Sequence, residues 1–336
     1  MNQKRVMIVQ PIHQSGIDLL KDAGFEVVFA SSAASHQVVN QIRGIDGVIV
    51  RTNPFPKEII ENADKLQVIG RHGTGTDNID LEEASKRGIY VVNTPFANQI
   101  SVAEHTITFM LALAKRLKTI DKATRKGCFK IRDEFSSTDI DGKTLGILGF
   151  GKIGSAVATK CKAAFNMKVL VYDPYLSEDK ARQAKVELAE LPTLLEKSDF
   201  VTIHAPLTPQ TRGLIGEKQL RMMKPTAFII NMARGLLWDE KAVANALKNG
   251  WIKGAATDVF VNEPPGDDNP LLGLENSLLS PHMSALTAEC VVRMATGAAQ
   301  GVIDVLQRRR PQYIANIELL KKYGKLLESN LRRIKQ

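Results

Sequence analysis

Short runs of aliphatic and β-branched residues alternate along the chain with longer segments whose apolar positions recur at helical spacing. Residues 6–9, 26–29, 48–50, 67–70 and 90–92 read as strands, separated by helix-like stretches such as 16–23 and 81–86. From Lys143 the series begins again, with strands predicted at 145–148, 169–172, 200–203, 227–231, 254–258 and 277–279. This rhythm predicts an α/β fold class of two doubly wound parallel sheets, each covered by helices on both faces.

Between the two series lies SVAEHTITFMLALAKRL, residues 101–117, which reads as one long helix opened by a capping box of Ser101 and Glu104. A second long helix is predicted over 287–306. A chain that leaves its first domain through one long helix and returns through another has its second domain inserted in the first. The expected boundaries are 1–100 with 288–336 for one domain and 101–287 for the inserted one, with the active site in a cleft between them.

Composition narrows the class without naming a chemistry. At 336 residues, 44% hydrophobic and 24% charged, the chain is long enough for about two folded domains. Cys128, Cys161 and Cys290 are three in number with no CxxC pairing, so neither a disulfide framework nor a thiolate metal site is expected. The N-terminus shows no apolar signal core, and no uncharged run approaches a membrane span, so a cytoplasmic protein without a membrane partner is expected. The formal charge of +9 suggests anionic partners, but residues 308–336 carry nine basic and two acidic residues, which leaves only +2 for the rest. The excess belongs to a tail, and nucleic acid is not indicated. In that tail Tyr313, Leu320, Leu327 and Ile334 repeat every seven residues and predict an amphipathic helix.

Candidate chemistry begins at Gly149-Phe-Gly151-Lys-Ile-Gly154, which follows a strand and opens a helix. In that setting the first glycine permits a tight turn, the second lets the backbone approach a pyrophosphate, and the third lets helix and strand pack closely. Asp173 ends the next strand, where a carboxylate accepts hydrogen bonds from an adenosine ribose and repels a 2′-phosphate, so NAD is favoured over NADP. The plainer alternative is a tight strand-to-helix turn, with Asp173 only starting the turn at Pro174.

Ligands of doubly wound sheets gather beyond the carboxyl ends of the strands. Of six histidines, His204 and His282 stand there in the second series, together with Arg234 and Glu263. His105 lies within the connecting helix and reads as packed or interfacial, while His13 and His36 read as solvated. A guanidinium gives a planar two-point grip on a carboxylate, and a Glu–His pair makes a general acid/base whose protonated form the carboxylate favours. Beside a nicotinamide these groups suit reduction of an α-keto acid. Arg234 and Glu263 as plain polar loop residues remain the alternative on spacing alone.

The segments GRHGTGTDNID, VVNTP with SVAEHTITFMLALAKR, GKTLGILGFGKIG, YDPY, HAPLTPQTRGLI, NMARG, DVF with NEP, and SPHMSA, in this order over about nine tenths of the chain, resemble the D-2-hydroxyacid dehydrogenase family and within it the phosphoglycerate dehydrogenase branch. The resemblance implies a Rossmann NAD-binding domain inserted into a flavodoxin-like substrate domain, and a homodimer formed through the NAD-binding domains. It implies that Arg234 binds the substrate carboxylate, that His282 exchanges a proton with the substrate oxygen, and that Glu263 orients His282. It also implies cofactor contacts from Thr74, Gly149, Gly151, Lys152, Ile153, Gly154, Asp173, His204, Ala205, Pro206, Ala233, Arg234, Asp258, His282 and Ser284, with Asp258 holding the nicotinamide carboxamide. The amides of Gly73, Thr74 and Gly75 would cradle the substrate carboxylate, and Arg51 would reach a substrate phosphate.

The implied activity is hydride transfer between NAD and a small D-2-hydroxy or 2-keto acid, such as 3-phosphoglycerate, glycerate with hydroxypyruvate, glyoxylate or lactate. An NAD(H)-sensing corepressor-like binding protein is the alternative of another class. His72, Trp238, Ser284 and the run Asn53-Pro54-Phe55-Pro56 depart from the family's usual residues, and three of these four departures are expected to face the cleft. By the same resemblance, the regulatory domain of the serine-feedback enzymes is expected to be absent.

Overall fold

The computed structural model describes residues 3–134 and 136–326. The chain divides into two compact units, one of residues through Asn98 together with those from Leu286 onward, the other of Gln99–Ala285.

In the first unit β1 (Arg5–Ile8), β2 (Glu26–Phe29), β3 (Gly47–Val50), β4 (Val68–Arg71) and β5 (Tyr90–Val92) form one parallel sheet in the order β2-β1-β3-β4-β5, the flavodoxin-like order. Side chains alternate along each strand, so two cores form. Met7, Val48, Ile69 and Val91 fill one face. Val6, Ile8, Ile49 and Val68 fill the other, against Ala298, Val302 and Leu306 of the helix Ala288–Leu306. Thr287 caps that helix, its hydroxyl accepting the Cys290 N–H at 3.2 Å.

The tail differs from expectation. Tyr313 lies outside any helix, against Phe96, and the helix runs only over Ile317–Lys322. Buried Asn316 sets this geometry. Its Oδ1 accepts the Val91 N–H, and its Nδ2 donates to Ser85 Oγ and the Ile89 carbonyl, each at 2.9 Å. Leu320 is fully buried, while Leu327 and Ile334 of the seven-residue repeat lie outside the described residues.

In the second unit β6 (Thr144–Leu148), β7 (Lys168–Tyr172), β8 (Glu187–Leu188), β9 (Phe200–Ile203), β10 (Phe228–Asn231), β11 (Gly254–Thr257) and β12 (Ser277–Leu279) form a parallel sheet in the order β12-β11-β10-β9-β6-β7-β8. The two-residue β8 is too short to leave a periodic signature in sequence. One face packs on Phe109, Met110, Leu113, Val157 and Cys161, the other on Leu194, Leu220, Val243 and Trp238.

The connecting helix is shorter than predicted and starts earlier, at Gln99–Ala114. Arg116 takes a left-handed backbone (φ 53°), which ends the helix, and Leu117–Arg125 forms a separate one. Ser101 is buried inside the first helix, so it is no cap, and Glu104 faces Lys160 at 3.5 Å instead. Among the described residues no helix is long and apolar enough to cross a membrane.

Candidate active site

The strand order of the second unit decides what its carboxyl edge can hold. Reading from β12 to β7, the residues just past the strand ends are His282, Asp258, Arg234, His204, Gly149 and Asp173. Neighbouring strands are roughly 4.8 Å apart, so this row is about 24 Å long. The switch point lies at β6, whose two neighbours are β7 and β9.

At β6 the Gly149 backbone has φ 91°, and a Cβ there would stand 2.6 Å from the Ala205 nitrogen. A Cβ on Gly154 would stand 2.2 Å from the Gly149 carbonyl oxygen. Gly151 is different: a Cβ on it would meet nothing within 4 Å. It precedes the helix Lys152–Phe165, which no side chain caps. The amides of Lys152, Ile153 and Gly154 therefore start a helix beside open space, which suits an anion such as a pyrophosphate. Asp173 accepts the Phe150 N–H on Oδ2 at 2.7 Å and the Tyr175 N–H on Oδ1 at 2.9 Å. It thus starts the turn at Pro174 and also stands as a fixed carboxylate at the end of β7.

The two histidine candidates separate on their surroundings. Both ring nitrogens of His204 are buried with no hydrogen-bond partner in the protein, and burial lowers its pKa to about 3. A ring held neutral so far below pH 7 is no proton donor there, but orphaned nitrogens beside the Gly149 turn are what a bound ligand would satisfy. His282 instead makes a 2.7 Å bond through Nδ1 to Glu263 Oε2, with both side chains about one-third exposed. The other Glu263 oxygen accepts the Phe260 N–H at 3.1 Å. Burial pushes the Glu263 carboxyl up, but the His282 bond and charge, the Phe260 amide and the Arg234 charge outweigh it and hold it below its ordinary value. Nδ1 is thereby committed to Glu263, and Nε2 is the atom left for chemistry. Arg234 donates from Nη1 to the Ala233 carbonyl at 2.7 Å, and its own carbonyl accepts from Asn231 Nδ2 at 2.9 Å.

In the first unit, the Gly73–Gly75 loop differs in part from expectation. The Gly73 N–H already donates to Thr94 Oγ1 at 3.0 Å, so it is not a donor to a ligand. Thr74 is pinned through its hydroxyl to Asn98 Oδ1 at 2.8 Å and through its carbonyl to Asn93 Nδ2 at 2.8 Å. Arg51 is partly buried at the end of β3 and donates from Nη1 to the Pro11 carbonyl at 3.0 Å.

The residues that depart from the family's usual ones are mostly buried. Trp238 is packed in the second unit's core, and His72 and Ser284 are each 5% exposed. Phe55 is buried, and Asn53 Nδ2 donates to the Ala33 carbonyl at 2.8 Å. Burial, then the Arg51 and Arg71 charges, lower the pKa of His72 to about 4. Both His72 and His204 take up a proton near pH 6.5 once unfolded. The unfolded chain then binds more protons, so stability present above that pH is lost as pH falls toward the folded values. At pH 5 the loss is about 2 kcal/mol per histidine. Urea titrations without nucleotide should show a lower midpoint at pH 5.0 than at 7.5, with a smaller drop for His72→Leu; an equal drop would contradict this assignment.

The chain is similar to known proteins over most of its length. Residues 107–284 match the family described as D-isomer specific 2-hydroxyacid dehydrogenase, NAD binding domain. A D-3-phosphoglycerate dehydrogenase of Methanocaldococcus jannaschii is 40% identical over 96% of this chain and 62% of its own length. A glyoxylate reductase of Korarchaeum cryptofilum is 38% identical over 94% of this chain and 97% of its own. The chain thus spans about three fifths of the first relative and nearly all of the second. Among solved structures, an NADPH-dependent glyoxylate/hydroxypyruvate reductase from Sinorhizobium meliloti, in complex with NADP and malonate, superposes with a TM-score of 0.84 at 26% identity, covering 94% of this chain and 98% of that one.

Proposed function

The chain belongs to the D-isomer specific 2-hydroxyacid dehydrogenases, and on that footing we propose that it interconverts a small D-2-hydroxy acid and its 2-keto acid with NAD as the hydride carrier. The observation that carries this is the Glu263–His282 bond of 2.7 Å on the same sheet edge as the open helix start at Gly151.

Lys152, Ile153 and Gly154 would hold the pyrophosphate through backbone amides, Asp173 the adenosine ribose, and His204, Ala205, Pro206, Ala233, Asp258 and Ser284 would line the rest of the dinucleotide. The bound nicotinamide supplies or accepts the hydride. Arg234 grips the substrate carboxylate. His282 Nε2 gives a proton to the carbonyl oxygen in reduction and takes it from the hydroxyl in oxidation, while Glu263 holds Nδ1 and faces the imidazolium charge. Asp173 carries the preference for NAD, because its negative charge opposes a 2′-phosphate.

Glyoxylate and hydroxypyruvate come first as substrates, because full-length relatives include glyoxylate reductases. A phosphorylated substrate is the second reading, because a D-3-phosphoglycerate dehydrogenase is 40% identical over 96% of this chain. The same reading carries a homodimer through the nucleotide-binding units, which solution mass checks. The functional test is NADH and NADPH consumption with glyoxylate, hydroxypyruvate, pyruvate and 3-phosphohydroxypyruvate. NADH turnover well above NADPH turnover is expected; no turnover above the His282→Ala background would overturn the proposal.

A further inference from the structure

A line of hydrogen bonds runs from the helix Gln99–Ala114 to the turn that carries His282. Asp258 is 1% exposed, and its carboxylate accepts three bonds from that turn. Ser280 Oγ donates to Oδ1 at 2.5 Å, the Met283 N–H donates to Oδ1 at 2.8 Å, and the Ser284 N–H donates to Oδ2 at 2.9 Å. Ser280 Oγ also lies 3.2 Å from His105 Nε2. A hydroxyl has one proton, and here Asp258 receives it. The bond between Ser280 and His105 therefore needs the proton of His105, which places that proton on Nε2. His105 is held edge-on against Phe109, with ring centroids 4.6 Å apart at 79°, so the ring is packed as well as bonded.

The donors thus point one way, from His105 to Ser280 to Asp258, and Asp258 gathers the backbone on the far side of His282. His282 itself sits at φ 51°, a left-handed conformation that a residue other than glycine keeps only where its surroundings impose it. Glu263 fixes the His282 ring, while the Asp258 bonds, together with the His282 N–H donated to the Ser280 carbonyl at 3.1 Å and the Ser280 N–H donated to the Thr257 carbonyl at 3.0 Å, fix the backbone on either side of it. We propose that His105, acting through Ser280 and Asp258, is a positioning residue that holds this turn and thereby aims His282 Nε2. The proposal rests on the reading of His282 as the proton donor and acceptor for the keto acid. His105 touches no reacting atom in it.

In the nucleotide-loaded enzyme, His105→Phe is expected to lower kcat for keto-acid reduction about tenfold, since small misplacement of a reacting group is enough for such a loss, while KM for NADH moves less than about twofold. His105→Gln, whose amide N–H replaces the Nε2 donor, should recover most of the rate. Ser280→Ala should behave like His105→Phe, and Ser280→Thr like wild type. A merely structural role would not produce rescue by the donor-bearing variants. Nitrogen-15 spectra of histidine-labelled protein give a readout independent of turnover: the His105 Nε2–H tautomer should dominate in wild type and mix with the Nδ1–H form in Ser280→Ala. Wild-type kcat in both His105→Phe and Ser280→Ala, or a dominant Nδ1–H tautomer, would overturn the proposal. If wild type turns over no keto acid, the functional reading fails, and the tautomer measurement still decides the donor chain. Should His105→Phe not fold, Ser280→Ala and Ser280→Thr decide it.

Discussion

Replacing His282 by alanine is expected to lower kcat for keto-acid reduction by about a thousandfold, within the range that a positioned general acid contributes. KM for NADH should stay near wild type, because in the proposed reading Lys152, Ile153, Gly154 and Asp173 would hold the dinucleotide, and they lie on other strands of the sheet. Steady-state kinetics at pH 7.5 reads both numbers, and a loss below tenfold would show that another group donates the proton. His204 is not a substitute donor, since burial keeps its ring neutral down to about pH 3. Because the Glu263 carboxyl lies below its ordinary value of 4.5, it stays ionised as pH falls from 8 to 5, and the bond to His282 should not limit activity across that interval. The sign follows from the direction of the shift: the interaction is present above the ordinary value and is lost only as pH falls through the lowered one.

The second large effect is expected at Gly235. A Cβ there would stand 2.0 Å from the Phe260 carbonyl carbon and 2.3 Å from the Val261 nitrogen, both backbone atoms that cannot swing aside. Overpacking of this kind costs about 3 kcal/mol, and in a unit of this size that is a melting shift of roughly 10 °C. The activity should fall further than the stability implies. Phe260 donates its N–H to Glu263, and Gly235 directly follows Arg234, so one displaced contact moves both Arg234 and the partner of His282. We expect Gly235→Ala, assayed well below its melting point, to lose about a hundredfold in kcat/KM. A variant with wild-type melting and kcat/KM would mean that the two segments can separate without consequence.

Sheet class and strand positions were legible because buried parallel strands are continuous apolar runs. The chemistry at strand ends was legible for a related reason: the end of an apolar run marks a place on the carboxyl edge. What periodicity does not encode is side-chain direction. Trp238, His72 and Ser284 depart from the family's usual residues, and spacing does not show that all three side chains are buried, Trp238 within the second unit's core. His105 looks like packing and does pack, on Phe109, but one ring nitrogen meets Ser280 across 175 positions of sequence. The capping box at Ser101 misled because its residue spacing recurs inside helices, where burial rather than spacing decides whether a hydroxyl can reach a terminal amide. The Gly73 amide misled because its partner, Thr94 Oγ1, lies in another loop.

The first unit is assembled from two separated stretches of chain, and this orders events during synthesis. Val6, Ile8, Ile49 and Val68 are complete once β4 has emerged, but the helix that covers them, Ala288–Leu306, is made only after the whole second unit. At ribosomal rates of about 5–20 residues per second, that sheet face waits uncovered for roughly 10–40 s. The inserted unit can close its own core during that wait. Nascent-chain proteolysis should therefore find Gln99–Ala285 protected before the segment that precedes it, an order of maturation opposite to the order in which the two begin.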